Sequence, residues 1–208
     1  MGVFSGSISY CKFFVRGDVP KRFQAPFMKA IRLRTFAPLE VDSEEDSSVG
    51  FCAPGNALDL DLRQDKVIWN QHVVLGLRID QWRIPRTLFR SHFDAAEAEY
   101  RARLGKDKLS KKDKDELKFR IERRLRKKVL PAMRAFDLLW DTDRKVLLFW
   151  NRSPRMKEEL MALFERTFHL RLDEVSPYVA AKALLDDARM DRFRKLEASS
   201  FLDLREGA

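Results

Sequence analysis

A chain of 208 residues that is 45% hydrophobic, with 16 Phe and 4 Trp spread along its length, can bury enough apolar surface to offset the entropy of folding, which excludes wholesale disorder and suits one folded unit. Lys and Arg outnumber Asp and Glu by 41 to 32, a formal charge of +9, so the favoured partners are polyanions: nucleic acid, an acidic protein or an anionic membrane surface. No apolar run reaches the ~18–20 residues of a bilayer span, no charged leader with a cleavage site opens the sequence, and Cys11 and Cys52 lack disulfide-framework or zinc-site spacing, so a cytoplasmic protein without membrane contact is expected.

From Ser7 to Val15 the residues are β-branched and aromatic with partial alternation, and Gly17-Asp18 follows as a turn, which predicts a strand. Asp18 as cap, Pro20 in a first turn and Phe23, Phe27, Met28 and Ile31 at helical spacing predict a helix ending before Pro38. The acidic stretch from Asp42 to Ser48 and the turn formers from Cys52 to Asn56 read as loop. Alternating Leu and Asp from Leu58 to Leu62, a short β-prone run from Val67 to Trp69 and an extended one from His72 to Trp82 suggest a small antiparallel sheet. Pro85 opens a helix through Arg103 that Gly105 stops, and a charged helix runs from Ser110 to Val129 with a narrow apolar stripe of Leu117, Ile121 and Leu125. Phe136 to Trp140 and Lys145 to Trp150 flank a four-residue connection and predict a hairpin. Ser153-Pro154 starts a helix patterned by Met156, Leu160, Leu163, Phe164 and Phe168, a short strand from Leu170 to Leu172 follows, and Ser176-Pro177 opens a last helix through Leu185. An α+β region thus spans 1–185, with its basic helical part at about 85–131, and 186–208 is an amphipathic tail.

Charge is densest from Lys106 to Lys128, where Lys106, Lys108, Lys111, Lys112, Lys114, Lys118, Arg120, Arg123, Arg124, Arg126, Lys127 and Lys128 face five acids. At ~100° per residue, Lys112, Arg120, Arg123, Arg126 and Lys127 fall opposite the apolar stripe as a cationic ridge, and ~1.5 Å per residue carries it far enough to follow phosphates along a duplex. A helix of this kind is in many proteins only a solvated face, with Glu122 and Arg126 as an ordinary i,i+4 pair. The N-terminal Lys12, Lys21, Arg22, Lys29, Arg32 and Arg34 supply a second basic set that strengthens the duplex reading if the two surfaces converge.

The order of these features resembles the bacterial recombination-associated RdgC family. Arg34-Thr-Phe-Ala-Pro-Leu39, the acidic insert and Val49-Gly-Phe-Cys-Ala-Pro-Gly55 are similar to that family's first helix exit and loop. Val73 to Pro85 resembles its strand ending in an Ile-Pro step, Lys111 to Pro131 its Lys-rich helix ending in Leu-Pro, and Phe136 to Trp150 with the helix after Pro154 its hairpin and next helix. The likeness covers residues 5–185 through several weak motifs in order, none of them specific alone. It implies a cytoplasmic, nucleoid-associated homodimer that encircles double-stranded DNA, restrains RecA-type strand exchange and works among RecA-pathway proteins. Members of the family continue beyond the position of Ala208, and the segment from Pro131 to Trp140 is shorter than theirs, so an open clamp rather than a closed ring is one expectation, because a ring dimer needs two contact surfaces per subunit.

Other chemistry has less support. Asp59 and Asp61 with Glu116-Leu-Lys118 resemble fragments of a metal-dependent nuclease, but the Glu-x-Lys falls on a helix among solvated charges. His72, His92 and His169 share no ligand spacing, Gly50 and Gly55 lack a phosphate-loop pattern, and Trp69, Trp82, Trp140 and Trp150 suit packing better than base stacking. The resulting expectation is an α+β fold of small antiparallel sheets packed with helices, non-enzymatic and without cofactor or metal. It grips duplex DNA non-specifically through Lys106, Lys108, Lys111, Lys112, Lys118, Arg120, Arg123, Arg126 and Lys127 of an exposed basic helix, with Arg32 and Arg34. The alternative is a protein-interaction regulator that pairs with a full-length homologue or an acidic partner without touching DNA.

Overall fold

The computed structural model describes residues 2–197 except 5, 7, 8, 44, 106 and 107. Its frame is one curled antiparallel sheet of seven strands with seven helices among the described residues. The strands are β1 (Cys11–Arg16), β2 (Ser47–Cys52), β3 (Ile68–Trp69), β4 (His72–Gln81), β5 (Ala132–Asp141), β6 (Val146–Phe149) and β7 (Arg171–Glu174). They lie in the order β2-β4-β5-β6-β1-β7, with β3 beside β4. This single sheet replaces the separate small sheets expected from sequence. The reason is β1, which pairs with both β6 and β7 and so joins the N-terminal strand to the C-terminal half.

Residues directly opposite across a ladder share a face, and the β4–β5 register therefore sorts the sheet. Val73 opposes Trp140, Leu75 opposes Leu138 and Leu77 opposes Phe136 on one face, which continues through Leu147 and Phe149 of β6 and Phe13 of β1. Two helices cover that face: α1 (Gln24–Leu33), through Phe27, Met28 and Ile31, and α5 (Pro154–Phe168), through Met156, Leu160, Leu163, Phe164 and Phe168. The Trp140 ring lies at the centre, 5.2 Å from Phe27, 5.1 Å from Phe164 and 5.2 Å from Phe168. Helix α5 forms where its apolar spacing predicts, with Pro154 in the first turn and His169 closing it at φ +56°.

Several boundaries differ from the sequence reading. The first strand begins at Cys11, and residues 7 and 8 of the expected strand lie outside the described residues. Helix α1 starts at Gln24, not at Asp18, whose exposed carboxylate instead meets Lys145 at 3.6 Å. Pro26 fits the first turn, where the helix requires no N–H. Strand β2 was missed because an acidic approach and Gly50 read as loop. Gly50 is there for clearance, since a Cβ would stand 2.3 Å from the Phe36 Cα where 34–36 pass along the strand. Leu58 to Leu62 is not a strand: Asp59 N–H donates to Asn56 O, and Leu62 N–H to Leu60 O, in successive turns. The short helix α2 (Gln64–Val67) follows. At the C-terminal side, α6 (Pro177–Leu184) is capped by Ser176 and α7 (Asp187–Arg194) by Asp186, so the expected tail begins as a capped helix.

Candidate nucleic-acid interface

Strands β4 and β5 stay paired to their ends, with Gln81 opposite Ala132, so residues 82–131 leave and re-enter the sheet at one point. They form a helical arm. Helix α3 (Arg86–Leu104) runs out and is closed by Gly105 at φ +62°. Helix α4 (Lys111–Arg126) returns, its start fixed by a reciprocal capping box between Ser110 and Asp113. None of α3's described side chains is buried, whereas α4 buries Ile121 and Leu125 of the predicted stripe. Glu97 of α3 ties the helices together, 2.9 Å from Arg101 and 3.3 Å from Lys114, and those two cations hold its carboxyl below the ordinary range.

The arm's basic residues divide into two groups. Arg123 and Arg126 are engaged. Residues 42, 43, 45 and 46 lie against the face of α4 opposite the apolar stripe, where Asp42 pairs with Arg123 and Asp46 with Arg126. The Arg126 side chain is only 10% exposed, donates to Ser43 O at 2.9 Å, and stands 5.9 Å from the ring centre of Trp82, a residue whose backbone N–H donates to Asp46 O at 2.9 Å. The Arg123 guanidinium lies 5.4 Å from the Phe119 ring. The centre of the expected ridge is therefore turned toward an acidic strap from the body, and Arg126 pairs with Asp46 rather than with Glu122. Lys118 and Arg120 are partly neutralised by Asp115 and Glu116 on their own helix.

The second group faces solvent. Lys108, Lys111, Lys112, Arg124, Lys127 and Lys128 are exposed and make no ion pair among the described residues. They lie before the helix, at its start, in its last turn (Arg124) and beyond its end, so ~24 Å separates Lys111 from Lys127 along the axis at ~1.5 Å per residue. Lys106 lies outside the described residues. Arg32 is exposed on α1, donates to Leu62 O at 3.3 Å and borders a depression with Lys29 and Gln64. Arg34 caps the same helix and is exposed, with no ion pair among the described residues. The depression bordered by Arg32 and the one bordered by Arg120, Arg124 and Lys127 have no residue in common.

The chemical alternatives are used up locally. Lys66 holds Asp59 at 2.7 Å and Asp61 at 3.5 Å, lowering the Asp59 pKa through that hydrogen bond, while Glu116 is taken by Arg120. No group of three His, Cys, Asp or Glu among the described residues converges as metal ligands would. Trp140 is core, Trp82 lies under Arg126, Trp69 packs on Phe4 at 5.3 Å and Trp150 on Tyr10 at 5.7 Å. No protein-family model matches this chain, and no curated protein does either. No helix among the described residues is long and apolar enough to cross a membrane.

Proposed function

We propose that this protein binds double-stranded DNA through its phosphates without reading sequence, and that the α3–α4 arm is the surface that meets the duplex. The observation that carries the reading is the set of solvent-facing cations that make no ion pair among the described residues along one arm, Lys108, Lys111, Lys112, Arg124, Lys127 and Lys128, in a chain of net charge +9. Each neutralised phosphate releases condensed counterions, so such a surface gains affinity from any duplex and discriminates little among sequences. On this reading Lys111, Lys112 and Lys127 contact phosphate directly, Lys118 and Arg120 contribute partial charge, and Arg123 and Arg126 act by fixing the arm against the strap. The resemblance to RdgC extends the proposal to a nucleoid-associated homodimer, cytoplasmic and without cofactor, that restrains RecA-type strand exchange.

The test neutralises Lys111, Lys112, Arg124 and Lys127 to Gln together. Binding to unrelated duplexes should weaken equally, and the slope of log K against log salt should become shallower by roughly three to four, at ~0.9 per phosphate. An unchanged slope rejects the arm as the contact.

A second reading has its own support. Leu88, Phe119, Leu130 and Met133 are exposed on or beside the arm, Leu130 to 90%, which suits a protein partner such as a longer homologue. A stable DNA-independent complex, with no retention of duplex at low salt, would favour that regulator role.

A further inference from the structure

Where the arm joins the sheet, three arginines from three elements line one recess: Arg83 just after β4, Arg134 in β5 and Arg155 in the first turn of α5. Their convergence follows from the register. Arg134 opposes Ile79 on the helix-bearing face of the sheet, two pairs before Gln81 and Ala132, and the start of α5 lies over that end, with Met156 buried beneath it. The side chains of Arg83, Arg134 and Arg155 make no ion pair or hydrogen bond among the described residues, and no carboxylate lines the recess. Even Glu159, one turn along from Arg155, forms no ion pair with it. Three arginines lining one recess with no lining counter-charge make it a positive site, and an anion seated there is attracted by all three. The first turn of α5, whose Arg155 and Met156 also line the recess, carries N–H groups for which the helix itself provides no acceptor.

The geometry points to a phosphate-binding site here, formed by Arg83, Arg134 and Arg155. The recess is about 50 Å³, far below the ~300–1,000 Å³ of a pocket that swallows a whole small molecule, so it takes the phosphate group and leaves whatever is esterified to it outside. Arginine forks supplied by three elements suit an oxyanion better than a halide, because each can donate two parallel hydrogen bonds. The phosphate belongs either to a nucleic-acid backbone that the arm also follows or to a free phosphorylated compound. The site stands on its own residues and does not depend on duplex binding by α4.

The experiment titrates the full chain with inorganic phosphate by calorimetry at fixed ionic strength, with chloride as control. Saturable one-site binding is expected, weakened about tenfold in each of Arg83→Gln, Arg134→Gln and Arg155→Gln, since a hydrogen bond to a charged group is worth roughly that factor or more. All three side chains are exposed, so the variants should keep the parent's melting temperature, and circular dichroism verifies that they fold. No saturable binding, or binding retained in the triple variant, overturns the site. A duplex salt series on the triple variant separates the sources: a slope shallower by one or more identifies backbone phosphate, and an unchanged slope with phosphate binding lost identifies a free phosphorylated ligand. If the parent binds phosphate but no duplex, the DNA reading fails and this site remains.

Discussion

Replacing Arg126 by Gln should damage the fold more than the function, whereas Arg124→Gln should do the reverse. The Arg126 guanidinium is enclosed by Ser43 O at 2.9 Å, the Asp46 carboxylate and the Trp82 ring. Losing the charge-assisted bond to the Ser43 carbonyl costs about 1.5 kcal/mol. The Asp46 pair adds at most about 1 kcal/mol, because that carboxylate returns to solvent, and the contact with Trp82 adds roughly 0.5 kcal/mol. The sum, about 2–3 kcal/mol, lowers the melting temperature of a chain this size by roughly 5–10 °C, while exposed Arg124→Gln stays within about 0.5 kcal/mol of the parent. Thermal unfolding measures the first effect. Hydrogen exchange at the Trp82 amide, which donates to Asp46 O, shows whether the strap has come away. At a temperature where both variants are folded, Arg124→Gln should lose more duplex affinity. If Arg126→Gln melts with the parent and loses the greater affinity, Arg126 is a DNA ligand and the strap does not hold it.

Two further outcomes test the body of the molecule. Gly50→Ala should destabilise by about 3 kcal/mol, read by denaturant titration, because the added methyl meets Phe36 backbone atoms at 2.3 and 2.6 Å, which cannot move aside like a flexible side chain. Burial, reinforced by the charge of Asp137, pushes the Cys52 thiol from 9.0 up to about 12. Below about pH 9 the thiol is neutral in both the folded and unfolded states, and above it only the unfolded chain ionises, so this group's share of stability is lost as pH rises from about 9 to about 12. Cys52→Ala should flatten the fall in stability over that window, and an equally steep fall in both proteins would remove Cys52 as its cause.

Segments whose signals are local were legible in the sequence. The helix start at Ser110, the Gly105 stop, the β5–β6 hairpin and the apolar period of α5 depend on residues within a few positions of one another. Strand β2 was not, because Gly50 answers to the backbone at Phe36 rather than to its neighbours in sequence. The alternation from Leu58 to Leu62 misled for a related reason, since Asp59 and Asp61 alternate to meet Lys66, not to line a sheet face. Helical periodicity placed Arg123 and Arg126 correctly on the side opposite the apolar stripe. It could not show that Asp42 and Asp46, some eighty positions earlier, would cover that side, although an acidic stretch and a basic helix of opposite charge in one chain were the available hint. Arg83, Arg134 and Arg155 each look like isolated surface charges in sequence and meet only through the β4–β5 register.

Fluorescence anisotropy of the full chain with labelled duplexes of unrelated sequence, repeated across a salt series, addresses phosphate-directed binding most directly. The account predicts equal affinities for those sequences at each salt concentration and a straight fall of log K against log salt with a slope of roughly −4 to −6, at ~0.9 for each neutralised phosphate. Absence of binding at low salt, affinity that depends on sequence, or affinity indifferent to salt would contradict it.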